Sequence, residues 1–178
     1  MYFSSDRAPT PRSITHLSTA ASWELMMLSA LSDIRCPEFT DRLRRYQAKE
    51  NCSEIFFESD NHRELFCKAA KQLRKDRPHM LAVVYLLTAN RTLWARICHR
   101  MIPSELSFDN DQLGKVNIGA YTLYSFAKDL HTGSQHITVD DMIDPTTIPD
   151  KLFALICNAV TIHQFGVGAL SFLPDNPQ

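Results

Sequence analysis

The sequence has few glycines and lacks the short glycine motifs that form common nucleotide and nucleophile sites. Its five glycines make no GxGxxG, no GxxxxGKS/T and no GxSxG. The first two motifs cradle the phosphates of dinucleotides and nucleoside triphosphates, and the third places a nucleophilic serine on a sharp turn. The chain therefore carries no sequence signature of these nucleotide-binding or hydrolase sites, and we expect no cofactor.

Paired cysteines and long apolar runs are also missing. No CxxC occurs among the five cysteines, Cys36, Cys52, Cys67, Cys98 and Cys157. Residues 1–6 lack the basic and apolar regions of a secretory signal, so we expect a cytoplasmic protein with reduced thiols. The longest apolar run has eight residues, whereas a bilayer-spanning helix needs about 20. We therefore expect no membrane association.

The apolar run itself, Met80–Leu87, indicates the centre of the fold. It contains no polar residue at the spacing that an amphipathic surface helix would show. A helix that is apolar on every side must be covered on every side. With 44% hydrophobic and 22% charged residues in a chain of 178, the composition is that of one globular domain around such a helix.

Capping residues and helix breakers divide the rest of the chain into helices. The predicted first helix runs from Ser13 to about Ile34, and the last opens at Thr147 and Pro149 and ends at Gly166. The alternating pattern of a half-buried strand is never sustained. We predict an all-α single bundle of six or seven helices, with an arm at 1–12, a helical domain at 13–166 and a tail at 167–178. The other predicted starts are Pro37, Ser59, Asp76 with Pro78, Asn90, the segment before Tyr121, and a single turn at Thr138.

Charge is unevenly distributed along the chain. Residues 1–100 hold 16 Lys+Arg and 11 Asp+Glu, whereas residues 101–178 hold 3 and 9. Either the two halves pack together and neutralise each other, or the basic half forms a surface for an acidic partner. The residues of that possible partner-binding surface are Arg42, Arg44, Arg45, Lys49, Lys68, Lys71 and Lys75.

Histidines and cysteines offer a few sites for a metal ion or for catalysis. His131 and His136 flank Gly133, where a loop could bring them together, whereas the neighbours Cys98 and His99 diverge on a helix. No local pattern marks a nucleophile with its base. We therefore predict no metal site and no catalytic residue, although an enzyme or metal protein using these side chains stays an alternative.

Three stretches carry a resemblance to a known family. Asn61–Phe66, Leu81–Thr88 and Phe126–Leu130 resemble segments of a small all-helical family of Gram-positive gut bacteria and their phages or mobile elements. The resemblance covers roughly residues 56–163. The family has no assigned activity, so the resemblance implies no catalytic residue. It implies an accessory protein that acts by binding a host or phage protein.

These observations lead to one expected function and one further alternative. We expect a non-enzymatic accessory or regulatory protein that acts by protein–protein contact, for example on a host protein or a defence system. The other alternative is a nucleic-acid-binding regulator that uses the basic half, because phosphate contacts require clustered Lys and Arg side chains. The sequence pI near 6.6 is low for such a module.

Overall fold

The computed structural model describes residues 22–50, 52–73, 79–100, 108 and 113–174. These residues form eight α-helices and two short 3-10 helices and contain no strand, which confirms the all-α prediction. The helix count exceeds six or seven because the single turn expected at Thr138 is a helix of its own. The α-helices are α1 (Trp23–Ala30), α2 (Pro37–Lys49), α3 (Asp60–Ala70), α4 (His79–Thr88), α5 (Arg91–Ile97), α6 (Ile118–Thr132), α7 (Val139–Ile143) and α8 (Asp150–Phe165).

Helix α4 is the centre of the bundle. Every residue from Met80 to Thr88 is buried, and α4 contacts α3, α5, α6 and α8. The hydroxyl of Thr88, at the end of this stretch, donates to the carbonyl of Val84 at 2.7 Å. The apolar run is therefore surrounded by the protein itself, which is the arrangement that its sequence predicted.

Side-chain caps fix several helix ends where the sequence placed them. Ser59 and Asn90 each accept a hydrogen bond from a backbone N–H of the first turn that follows. Thr138 forms a reciprocal capping box with Asp141. Gly133 ends α6 with a φ of 73°, a left-handed conformation that glycine adopts without steric cost.

The predicted first helix is wrong in its bounds. Ser22 has an extended backbone (φ −74°, ψ 152°), and its side chain accepts a hydrogen bond from the N–H of Leu25, so that α1 begins at Trp23. The helix ends at Ala30 rather than at Ile34. The predicted arm at 1–12, the start at Ser13 and the predicted cap of α4 at Asp76 and Pro78 lie outside the described residues.

The apolar tail folds back onto the bundle. Residues Gly166–Phe172 form a 3-10 helix that contacts α8 and α4. The backbone N–H of Ile55 donates to the carbonyl of Phe172 at 2.9 Å. The ring of Phe172 packs against Trp23 with a centroid distance of 5.5 Å. The tail thus packs on the bundle beside Ile55 and Trp23.

One segment has the length and composition of a membrane-crossing helix. It is Asp150–Phe172, which combines α8 with the 3-10 helix. Most of the apolar part of this segment is buried within the protein, and every residue from Phe153 to Ile162 is buried. Burial of this kind is typical of the core helix of a bundle.

A fully buried histidine connects α3 to α4. The Nδ1 of His62 accepts a hydrogen bond from the N–H of Glu58 at 3.2 Å. The imidazole therefore carries its proton on Nε2, which donates to the carbonyl of Tyr85 at 2.9 Å. The Tyr85 hydroxyl donates in turn to the carbonyl of Phe56. Burial lowers the pKa of His62 to about 4, so this ring is neutral at pH 7.

Candidate functional site

A cleft of about 450 Å³ lies between α2 and the first turns of α8. We call it the α2–α8 cleft. Its apolar wall includes the side chains of Phe56, Ile143 and Pro145. Its charged and polar lining comes from Arg42, Arg45, Tyr46, Lys49, Glu50, Asp150 and Lys151.

Arg42 forms the base of the cleft and is not a surface residue. Only 5% of it is exposed. Its guanidinium donates to the carbonyl of Met142 at 2.6 Å and to the carbonyl of Ile148 at 2.5 Å. It also lies over the ring of Phe153, 4.4 Å from the ring centroid, and pairs with Asp150 at 3.2 Å. Arg42 is therefore a buried member of the predicted basic set, and it lines the cleft without adding an exposed charge to the surface.

The buried position of Arg42 follows from its place on α2. Phe39, Arg42 and Leu43 are the buried residues of this helix, and their i, i+3, i+4 spacing defines one helical face. The guanidinium tolerates burial because backbone carbonyls and an aromatic face satisfy it. The helical period contained the signal for this burial, whereas the residue type alone indicated solvent.

The rim of the cleft is cationic and exposed. The ammonium of Lys49 lies 3.8 Å from the carboxylate of Asp150, and that of Lys151 lies 3.4 Å from Glu58. The two lysine side chains are 70% and 67% exposed. Arg45 is exposed and donates from Nε to the carbonyl of Asp41. The rim thus presents exposed cations beside the buried guanidinium of Arg42.

The other predicted basic residues do not line this cleft. Arg44 pairs with Asp41 at 3.8 Å and borders a different surface depression, beside Arg35. Lys68 and Lys71 are exposed on and just after α3. Lys75 lies outside the described residues. The structure therefore brings together Arg42, Arg45 and Lys49 from the predicted set and adds Lys151, which the sequence analysis did not select.

A polar network behind the cleft holds its wall in place. The side-chain oxygen of Asn158 accepts hydrogen bonds from the indole of Trp23 at 2.8 Å and from the N–H of Phe56 at 3.1 Å. Its amide nitrogen donates to the hydroxyl of Tyr46 at 3.3 Å. Burial, and next the nearby Cys52 thiol, raise the pKa of Tyr46, so its hydroxyl keeps its proton. These bonds tie α1, α2 and α8 together behind the cleft.

The histidine and cysteine candidates engage separate partners. His136 Nδ1 lies 2.6 Å from the carboxylate of Asp129. The ring of His131 packs against Phe108 and His79, with centroid distances of 5.4 and 6.0 Å. Cys98 and His99 are exposed after α5. Among the described residues, no three His, Cys, Asp or Glu side chains are arranged to hold a metal ion.

Asp129 stabilises the loop that follows α6. Its buried carboxylate accepts hydrogen bonds from the backbone N–H groups of His136 at 2.9 Å and Ile137 at 3.0 Å, and from the Ser134 hydroxyl at 2.9 Å. Asp129 therefore has a structural role, because its carboxylate holds the loop against the end of α6.

Substituting Asp129→Asn should lower the free energy of unfolding by about 2 kcal/mol, because one accepting oxygen becomes an amide that donates instead. Urea denaturation measures this change. The matched control is Asp140→Asn, an exposed position on α7, which should stay within about 0.5 kcal/mol of wild type. Equal changes in the free energy of unfolding for the two substitutions would show that the hydrogen bonds to Asp129 do not stabilise the fold.

Comparisons with family models, with curated proteins and with solved structures found no match to this chain.

Proposed function

We propose that this chain is a non-enzymatic accessory protein that acts by binding another protein, and that the α2–α8 cleft receives an acidic segment of that partner. The supporting observation is the combination of exposed cations at Arg45, Lys49 and Lys151 with the apolar wall of the same cleft. Cations at a rim attract and orient an acidic partner, and the apolar wall supplies surface that a partner side chain can bury.

The dimensions of the cleft suit a short segment. Its volume of about 450 Å³ falls within the range of pockets that enclose small ligands or a few side chains, roughly 300–1,000 Å³. The Asn158 network holds the Tyr46 side of the wall. A site that is already in place loses less entropy on binding, which raises the affinity that a small contact area can reach.

A protein partner suits the charge pattern better than a nucleic acid does. Two acidic side chains, Asp150 and Glu50, line the cleft together with the cations. Both partners are repelled by these carboxylates, but a nucleic acid carries a charge at every phosphate, whereas an acidic peptide has few charges and can space them to meet the cations. The motif resemblance supports the same class of function and suggests a setting in a phage or mobile element, with a host or defence protein as the partner in the cytoplasm.

The proposed function predicts selective binding of an acidic peptide. A fluorescein-labelled peptide rich in Glu, with Leu and Phe between the acids, should bind the full chain. The same peptide with Gln in place of Glu should bind at least about tenfold more weakly. Reversing two rim charges, Lys49→Glu with Lys151→Glu, should reduce binding of the acidic peptide by a similar factor. Fluorescence polarisation at low and high salt measures the affinity of each peptide for the wild-type protein and for the rim variant.

The matched control reverses two exposed charges outside the cleft. Lys68→Glu with Lys71→Glu changes the net charge by the same amount but leaves the cleft intact, so it should retain most of the affinity. Equal losses in the two double variants would contradict a specific cleft. Tighter binding of a DNA duplex, abolished by the rim variant, would instead favour the nucleic-acid alternative. Full competition by free glutamate would identify a small-molecule site.

A further inference from the structure

We propose that Asp150 is a built-in competitor for the cleft: its carboxylate occupies the cationic position that an acidic side chain of the partner takes on binding. The inference rests on the proposed function and specifies how that site is regulated. The partner segment should place one Asp or Glu carboxylate against Arg42 and Lys49, and its apolar neighbours should lie along the wall that contains Phe56 and Pro145.

The contrast between Arg42 and Asp150 is the first argument. The Arg42 side chain is 6% exposed, whereas the Asp150 side chain is 74% exposed. Arg42 keeps its position without Asp150, because it donates to two backbone carbonyls and lies over Phe153. The cation is thus fixed, and its carboxylate partner is accessible and exchangeable.

The lengths of the ion pairs are the second argument. Asp150 lies 3.2 Å from Arg42 and 3.8 Å from Lys49. Well-formed hydrogen bonds between a cationic nitrogen and a carboxylate are about 2.7–2.9 Å long, so neither contact is optimal. The Lys49 pair is exposed on both sides and contributes little to stability, and Arg42 is already held by two carbonyls and the Phe153 ring. A second carboxylate can therefore replace Asp150 at low cost.

The local backbone allows Asp150 to leave. It lies in the first turn of α8, where an acidic residue is favoured but where the helix does not depend on its side chain. Rotation of this side chain toward solvent breaks no backbone hydrogen bond of α8. It also uncovers a cleft whose cations, Arg42, Arg45, Lys49 and Lys151, then outnumber its remaining acid, Glu50.

The test is the substitution Asp150→Asn, which preserves shape and removes the competing charge. The variant should bind the Glu-rich fluorescent peptide about tenfold more tightly than wild type, and the gain should shrink at high salt. The matched control is Asp41→Asn, which removes the carboxylate that pairs with Arg44 outside the cleft and should leave the affinity nearly unchanged. Asp150→Ser serves as a second variant should the asparagine variant fold poorly.

The outcomes separate this inference from the proposed function. If wild type binds the Glu-rich peptide and neither Asp150→Asn nor Asp150→Ser binds it more tightly, the proposal that Asp150 competes for the cleft is overturned. The proposal that the cleft binds an acidic segment is then unaffected. An equal gain in Asp41→Asn also overturns it, since the effect would then be one of net charge. Tighter binding by the Asp150 variants alone supports it. Failure of wild type and of both Asp150 variants to bind overturns both proposals.

Discussion

Replacing Arg42 with methionine should lower the free energy of unfolding by about 3 kcal/mol. The methionine keeps an apolar stem against Phe153 but leaves the buried carbonyls of Met142 and Ile148 without their donors. A buried group that loses its hydrogen-bond partner costs about 1–3 kcal/mol, and bonds from charged donors are at the upper end of that range. Urea denaturation followed by circular dichroism measures the change.

The matched control for this substitution lies two residues further along the same helix. Arg44 is exposed and pairs only weakly with Asp41 at 3.8 Å, so Arg44→Met should change stability by no more than about 0.5 kcal/mol. The loss of stability in Arg42→Lys should lie between those of Arg42→Met and Arg44→Met, because one ammonium cannot reproduce the forked geometry of a guanidinium. An Arg42→Met protein as stable as Arg44→Met would show that the buried guanidinium is dispensable.

Arg42 also shows which features of this fold are readable from sequence. The helices were predictable because their signals are local: a cap, a breaker and a 3.6-residue period lie within the segment that they define. The central position of α4 followed from its unbroken apolar run for the same reason. The burial of Arg42 is also indicated by its place in the helical period, but its partners are carbonyls 100 and 106 residues away along the chain. A local pattern carries no record of such partners.

The cleft was only half predictable for the same physical reason. Arg45 and Lys49 stood out as part of a basic segment, but their opposite wall comes from the start of α8. In sequence, Asp150 has the appearance of a first-turn acid, and its pairing with Arg42 across the cleft is set by tertiary packing. That pair, together with the one between Lys49 and Asp150, joins the basic and acidic halves. Within the described residues, part of the charge asymmetry is therefore neutralised internally.

The histidine that connects α3 to α4 should make the protein lose stability in mild acid. In the unfolded chain a histidine has a pKa near 6.5, whereas burial lowers the pKa of His62 in the folded protein to about 4. Between these values the unfolded state binds the proton and the folded state does not. The contribution of neutral His62 is thus fully present above about pH 6.5 and disappears as the pH falls toward 4.

The size of this loss follows from the difference in pKa. One pKa unit corresponds to about 1.4 kcal/mol, so the contribution that disappears is about 3 kcal/mol. Protonation would also remove the acceptor that binds the N–H of Glu58, which is the structural reason that the folded protein resists it. Urea unfolding at a series of pH values from neutral to mildly acidic measures how the free energy of unfolding changes with pH.

A non-titrating substitution isolates this histidine from other acid-sensitive groups. Burial, and next the charge of His79, also lower the pKa of His163, and carboxylates protonate in the same range, so the wild-type curve combines several effects. His62→Gln retains a donor toward Tyr85 and cannot ionise. At neutral pH the variant should have a lower free energy of unfolding than wild type. The difference between the two free energies of unfolding should decrease by about 3 kcal/mol as the pH falls. A constant gap would mean that His62 is not the titrating group.

The wild-type protein provides an independent check that does not depend on a variant. The ring carbon resonance of His62, followed by NMR, should stay at its neutral position through the interval in which histidine in a short peptide titrates. Its first change should coincide with the onset of acid unfolding, because the proton can reach Nδ1 only when the contact with the Glu58 N–H opens. A titration of His62 near pH 6.5 in the folded protein would contradict the buried, doubly hydrogen-bonded ring and the acid sensitivity derived from it.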